Sequence, residues 1–319
     1  MYRIGWDIVV GGYRLGLIES VKVTSSVDKL TDSATITLPG TALNAAMMIE
    51  DEIRVGDGVS IGFGYDNNIV EEFRGYVSAI KTDASKLIIE CEDEMYRLNK
   101  AVGDRTWTGV DVKSIIEYIL LATGSGLRLD CSYDFRYDKF SVINANGIDV
   151  LRKIQEEASP NIYIKDDTLY VEPKYAKIFG SAIYDFSKNI DKNGCSLEYK
   201  RVDDVKVHVQ VKGQTADGRE IKAEAGTTGG EQVNVDYGTS VSNMQSLQLK
   251  ANELLKAHSY EGYRGNFQGW LLPIVRAGYK VTIRDRDYEY KEGDYYAISV
   301  ESEISRNGGI RKIELGKKI

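Results

Sequence analysis

Arg54-Val55-Gly56-Asp57-Gly58-Val59-Ser60-Ile61 lines up without a gap against Arg276-Ala277-Gly278-Tyr279-Lys280-Val281-Thr282-Ile283. Arg, Gly, Val and Ile are identical in register, and Ser60 faces Thr282. Both copies continue through a polar turn into an aromatic, alternating strand (Phe73 to Ile80; Tyr295 to Val300). A further strand then holds Ile89-Glu90 in one copy and Ile313-Glu314 in the other. A single short Val/Ile match means little. Several in the same order predict two related β-modules in one chain.

Outward from these segments the chain divides into three units. Residues 1–102 read as β. Ile18 to Ser25 alternates, and Ala34 to Leu38 is a β-branched strand stopped by Pro39-Gly40. Val59 to Phe63, Glu72 to Ile80 and Leu87 to Cys91 follow as short strands between turn signals, the mark of a sandwich or small barrel. A short helix is expected over 42–49, where Ala, Leu and Met favour that state.

Residues 103–190 change character. Thr108 or Asp111 caps a helix through Val112, Ile115, Ile116, Ile119 and Leu120, stopped by Gly124 and Gly126. A second amphipathic helix runs from Asp149 to Ala158, and Pro160 ends it. Ile162-Tyr163-Ile164 and Leu169-Tyr170-Val171 form a hairpin around Asp166-Asp167. This unit is an α/β insertion between the two β-modules.

In residues 191–319 the β pattern returns. Val205 to Val211 alternates, and Asp217-Gly218 is a hairpin turn. The polar, Gly-rich stretch 213–240 reads as a mobile loop. The helix 242–258 carries Leu247, Ala251, Leu254, Leu255 and His258 at helical spacing. The second copy of the repeat closes the chain.

A chain of 319 residues with 42 % apolar and 28 % charged residues has enough apolar content for buried cores and too much for disorder. Its 21 tyrosines suit strands with one wet face. The net charge of −7 argues against gripping a phosphate backbone, which takes clustered Lys and Arg. Cys91, Cys131 and Cys195 are far apart and fit neither a zinc site nor a disulfide framework. The N-terminus has no signal-peptide pattern, and no apolar run has the length of about 18 residues that a membrane helix takes. Cytoplasmic synthesis without membrane insertion is expected.

No residue pattern supports catalysis. The two histidines read as structural: His208 within a strand, His258 at a helix end where the carbonyls favour a cation. No GxSxG pentapeptide is present for a serine hydrolase. The paired carboxylates, such as Glu71-Glu72 and Asp166-Asp167, lie mostly in turns or on exposed faces. Gly62-Phe63-Gly64 continues as Tyr-Asp-Asn-Asn, not as a dinucleotide loop, and the aspartates lack EF-hand spacing. No cofactor, no metal and no enzymatic activity are expected.

The run Val21 to Leu38, with Val55 to Ile61 and Phe73-Arg74-Gly75-Tyr76-Val77, resembles the opening barrel of contractile-tail baseplate hub proteins, the phage late control D family. This family is similar to the hub half of the type VI secretion spike protein. Gly278 to Ile283, Gly293 to Tyr296 and Ser305-Arg306-Asn307-Gly308-Gly309 resemble the closing barrel of Mu-like phage hubs. The resemblance implies a mainly β chain with two tandem, related tube-like β-barrels flanking a smaller α/β domain. It further implies a homotrimer whose six barrels meet a hexameric tail tube above and a trimeric spike below. A trimer presents six similar edges only if each chain carries two. The chain stops after the second barrel, so a separate spike protein is expected.

The expected partners are thus the tail tube protein, the spike and other baseplate proteins, with DNA passing through the channel without specific binding. A negative lumen would repel phosphates. Interface edges are expected from Val55 to Phe63 and Ala277 to Arg284, with Arg54, Val59, Ile61, Phe63, Arg276, Val281 and Ile283 as the contact residues, together with the helices 42–49 and 242–258. The competing classes are a surface or secreted carbohydrate-binding β-protein, with Tyr and Trp as stacking platforms, and a tail-associated lytic enzyme.

Overall fold

The computed structural model describes residues 3–39, 52–83, 86–201, 204–215, 218–238 and 244–319. The helix expected over 42–49 lies outside them. The molecule is mainly β, with three α-helices among the described residues.

The first module contains β1 (Ile4–Val10), β2 (Tyr13–Arg14), β3 (Ser20–Ser26), β4 (Ser33–Leu38), β5 (Gly58–Tyr65), β6 (Asn68–Asp83) and β7 (Lys86–Glu92). Its main strands pair in the order β1-β5-β6-β7-β4-β3. Apolar residues alternate inward along each of them: Val21 and Val23, Ala34, Ile36 and Leu38, Val59, Ile61 and Phe63, Leu87, Ile89 and Cys91 form one buried core.

The insertion follows with β8 (Ala101–Val102), β9 (Arg105–Asp111), α1 (Val112–Thr123), β10 (Arg128–Cys131), β11 (Arg136–Val142), β12 (Ala145–Asn146), α2 (Gly147–Ala158), β13 (Pro160–Lys165) and β14 (Thr168–Pro173). Asp111 is the N-cap of α1, accepting from the Ser114 N–H at 2.7 Å, and Gly124 ends the helix in the left-handed region. Helix α2 starts two residues before the expected Asp149. Asn146 is its cap, and Asp149 closes the reciprocal capping box from inside. The β13–β14 hairpin turns at Asp166 and Asp167, both at positive φ. Strand β10 adds parallel to β14, and β9 pairs with β11, which the helical periodicity of this region had masked.

The last unit contains β15 (Ser181–Asp185), β16 (Ile190–Asp191), β17 (Glu198–Lys200), β18 (Val207–Gln214), β19 (Glu220–Gly226), β20 (Glu231–Asp236), α3 (Met244–His258), β21 (Gly262–Gly269), β22 (Lys280–Arg284), β23 (Gly293–Ser305) and β24 (Gly308–Lys318). The stretch expected as a mobile loop is ordered wherever it is described. Strands β19 and β20 flank β18, and this three-stranded sheet packs through Val207, Val209, Val211 and Ala223 onto Leu247 and Ala251 of α3. Gly226, Gly229 and Gly230 lie at the turn between β19 and β20. At Gly226 a Cβ would run into the Val207 carbonyl, so glycine is demanded by close approach. Composition misled here because β19 carries small apolar residues, Ala223 and Ala225, between charged ones, and β20 has only two valines among polar residues.

The remaining strands repeat the first module: β15-β22-β23-β24-β21, then β16 and β17 on the outer flank of β21. The repeat extends to irregularities. Strand β6 skips Ser78 against β7, between Val77↔Cys91 and Ala79↔Glu90. Strand β23 skips Ile298 against β24, between Ala297↔Leu315 and Ser299↔Glu314. Bulges at the same place in two strands argue for one design used twice. One difference stands out: β1 runs antiparallel to β5, whereas β15 runs parallel to β22. Among the described residues neither module closes into a hydrogen-bonded barrel. Both belong instead to one 14-stranded sheet, because β3 of the first module pairs with β23 of the second.

Candidate assembly surface

The repeated segments make the same turn. In the first copy the Asp57 N–H donates to the Arg54 carbonyl at 3.0 Å and the Gly56 N–H to the Val77 carbonyl at 2.8 Å. In the second, the Tyr279 N–H donates to the Arg276 carbonyl at 3.1 Å and the Gly278 N–H to the Ala297 carbonyl at 2.9 Å. Gly56 and Gly278 both sit at positive φ, +96° and +85°, which is why glycine holds both positions.

The turns differ in what their arginines meet. Arg54 is exposed. The Arg276 guanidinium donates to the Glu71 carbonyl on β6, so it reaches the other module of its own chain. Val59, Ile61, Phe63, Val281 and Ile283 are all buried in the cores of their own modules. Nor is either strand an edge: β5 lies between β1 and β6, and β22 between β15 and β23. In the single chain the segments expected as interface edges, 55–63 and 277–284, thus run through interior strands, and of the seven named residues Arg54 and Arg276 are exposed. Alternating Val and Ile mark buried strands equally in an interior and at an edge, and only the pairing tells them apart.

The edges that do join modules are β3 and β23, antiparallel over seven residue pairs from Ser20↔Ser305 to Ser26↔Ser299. The Val27 N–H extends the joint to the Ile298 carbonyl at 3.0 Å, and Lys22 meets Glu301 across it at 2.7 Å. Leu271 and Ile304 enter the first module's core from the second.

Beneath this joint lies an ion pair that the sequence reading did not single out. Arg311 of β24 is 1 % exposed and Glu72 of β6 is 4 % exposed at their side chains. The guanidinium donates from Nη2 to Glu72 Oε1 at 2.7 Å and from Nη1 to Oε2 at 3.1 Å. It also donates to the carbonyls of Val275 at 2.9 Å and Leu271 at 3.3 Å. A signal was present: Arg311 stands in phase with Ile313 and Leu315 on the inward face of its strand. Glu72 is turned inward by a register shift of β6 against β5 that leaves it without an opposite residue.

Next to the joint is a cavity of about 330 Å³ bounded by all three units, with Asp32, Asp93, Asn161, Tyr163 and Arg276 in its wall. Burial pushes the Asp32 carboxyl up to about 7. Burial and the neighbouring Asp32 charge push Asp93 well above the usual carboxylate range. Their oxygens accept backbone N–H groups: Ser26 to Asp32 Oδ1 at 3.0 Å, Asp32 to Asp93 Oδ2 at 2.9 Å and Met95 to Asp93 Oδ1 at 2.9 Å. The pair therefore holds the β3–β4 turn against the segment after β7. Neither histidine is in this wall. His208 lies between Gln232 and Glu224, and burial lowers the affinity of His258 for a proton. Among the described residues no group of three or more His, Cys, Asp or Glu is placed to hold a metal.

No family model and no curated protein matches the chain. Solved structures do. The tail protein from Neisseria meningitidis MC58 superimposes with a TM-score of 0.67 at 15 % identity, covering 99 % of this chain and 97 % of that one. The 43 kDa tail protein of prophage MuSo2 from Shewanella oneidensis gives 0.65 at 12 % identity, covering 99 % and 98 %. The E. coli c3393 protein, a component of the type VI secretion system, gives 0.60 at 8 % identity, covering 98 % and 79 %. The chain has the fold of phage tail proteins, over nearly its whole length.

Proposed function

We propose that this chain is a structural, non-enzymatic component of a phage-type tail or related injection machine, and that it serves as the baseplate hub. Three copies form a ring of six similar modules around a channel, with a hexameric tube on one side and a trimeric spike on the other. In the ring each module acts as one tube-like barrel, the first within 1–102 and the second within 191–319, with 103–190 outside the ring. The acidic net charge then has a use, since a negative lumen lets DNA slide past unbound. Assembly places the protein in the virion tail, and none of the described helices is long and apolar enough to cross a membrane.

The observation that supports this reading is the duplicated strand order, with the same glycine turn and the same bulge in both copies, fused edge to edge through β3 and β23. A chain with two like modules is what a threefold assembly needs to meet a sixfold one. The test is mass in solution combined with averaged electron images. The expected particle is about 107 kDa, three times 35.6 kDa, with six similar lobes around a hole. A particle that stays at 35.6 kDa across concentrations rejects the ring.

A further inference from the structure

The joint between β3 and β23 uses only half of the edges that the duplication creates. One flank of β23 is shared: β22 takes Gly293 to Tyr296, and β3 takes Ser299 to Ser305. Its counterpart β6 is taken by β5 from Asn68 to Tyr76, but among the described residues no strand pairs with that flank from Ala79 to Lys81. The counterpart of β3 is the run Ile190 to Lys200. Its strand β17 pairs with β21 on one flank and with no described strand on the other. One chain thus presents both members of a second joint, at separate places. Unpaired N–H and C=O groups along such edges are a template for another chain.

We propose that β17 of one copy adds antiparallel to the unpaired end of β6 in a second copy, in the register that β3 holds on β23. This rests on the ring reading above and specifies its inter-chain contact. The register follows from the equivalences. Glu301 is opposite Lys312 as Lys81 is opposite Ile88, and both lie two residues past the bulge-flanking pairs to Glu314 and Glu90. Thr24 is opposite Ser33 on β4, and Glu198 is opposite Arg264 on β21. Ser33 and Arg264 are themselves equivalent, since Ala34 and Gly265 face Cys91 and Leu315. Within the chain Glu301 pairs with Thr24, so between chains Lys81 pairs with Glu198. The neighbouring pairs are Ala79 with Lys200 and Ile80 with Tyr199.

The charges fit. Lys81 and Glu198 are both exposed in the single chain; Lys81 meets Glu90 of its own β7 at 2.6 Å and would be shared with Glu198, since opposite charges directly across an antiparallel pair are favourable. The internal joint carries its own ion pair, Lys22 with Glu301. The occupant is a second copy, not a foreign strand, because the two edges complement one another. A contact of one surface with a different surface propagates head to tail until it closes.

The test is the full-length double variant Lys81→Cys with Glu198→Cys, oxidised mildly and run without reductant. Each single variant reports any linkage through the native thiols. Covalent dimers and trimers in the double variant, well above either single variant, support the proposal. If the wild-type protein is a trimer by mass and no linked species form, the strand pairing is wrong and the ring stands. A wild-type monomer rejects both. As a second measurement, Lys81→Glu is expected to weaken assembly roughly threefold, and adding Glu198→Lys to restore it. Failure of that restoration counts against the register.

Discussion

Arg311 and Glu72 allow a quantitative check of how the two modules are held together. Replacing Arg311 by Met keeps much of its volume but removes four hydrogen bonds, two to the carboxylate and two to the carbonyls of Val275 and Leu271. The Glu72 side chain, 4 % exposed, is then left without its counter-charge. Removing one partner of a buried ion pair costs about 3–5 kcal/mol, most of it the penalty of an uncompensated charge and not the worth of the pair itself. Glu72→Leu should cost a similar amount, because it strands the guanidinium. The double variant Arg311→Met with Glu72→Leu buries neither charge and should cost much less than the sum of the two, by about 2 kcal/mol or more, since apolar replacement of a buried pair is often near neutral. Urea denaturation followed by tryptophan fluorescence measures the four proteins of this cycle. Single-variant costs below about 1 kcal/mol, or costs that simply add, would refute the claim that this pair is a buried lock.

Two further outcomes follow from the same geometry. The Asp32 carboxyl, ordinarily near 3.8, is pushed up to about 7 by burial. The folded chain therefore holds a proton that the unfolded chain has released, so stability falls as pH rises through this window and the full penalty remains above it. Asp32→Asn, whose carbonyl still accepts the Ser26 N–H, should raise the urea midpoint at pH 8 and lose that advantage toward pH 4; a difference independent of pH contradicts the assignment. The glycine turns should separate as well. Gly56→Ala meets only the Tyr96 hydroxyl, at 3.6 Å, and should cost about 1 kcal/mol from positive φ alone, whereas Gly278→Ala also drives its methyl into the Phe179 ring and should cost more. Equal thermal melting shifts for the two would show that the ring yields freely.

Much of the architecture was legible in the chain because periodicity reports burial directly. Strands β4, β5 and β7, helices α1 and α2 and the β13–β14 hairpin lie within a few residues of their expected places. The duplication was legible too, from four identities in eight residues. Strands β19 and β20 were not: in β19 alanine and glycine between charged residues carry little apolar signal, and β20 has only Val233 and Val235 among polar residues beside the glycine turn. Arg311 was passed over because an arginine in a strand ordinarily faces water.

The sequence by itself determined which residues turn inward, where the turns fall and that one module is used twice, because each depends on neighbours a few positions apart. Only the tertiary structure decided that β5 and β22 are interior strands, that the outer edge of β3 pairs with β23, and that Arg311 meets Glu72 239 positions away. Side-chain alternation is the same in a strand with two partners as in a strand with one. Which edge meets which is settled by register and by what each pairing buries, and neither is written locally in the chain.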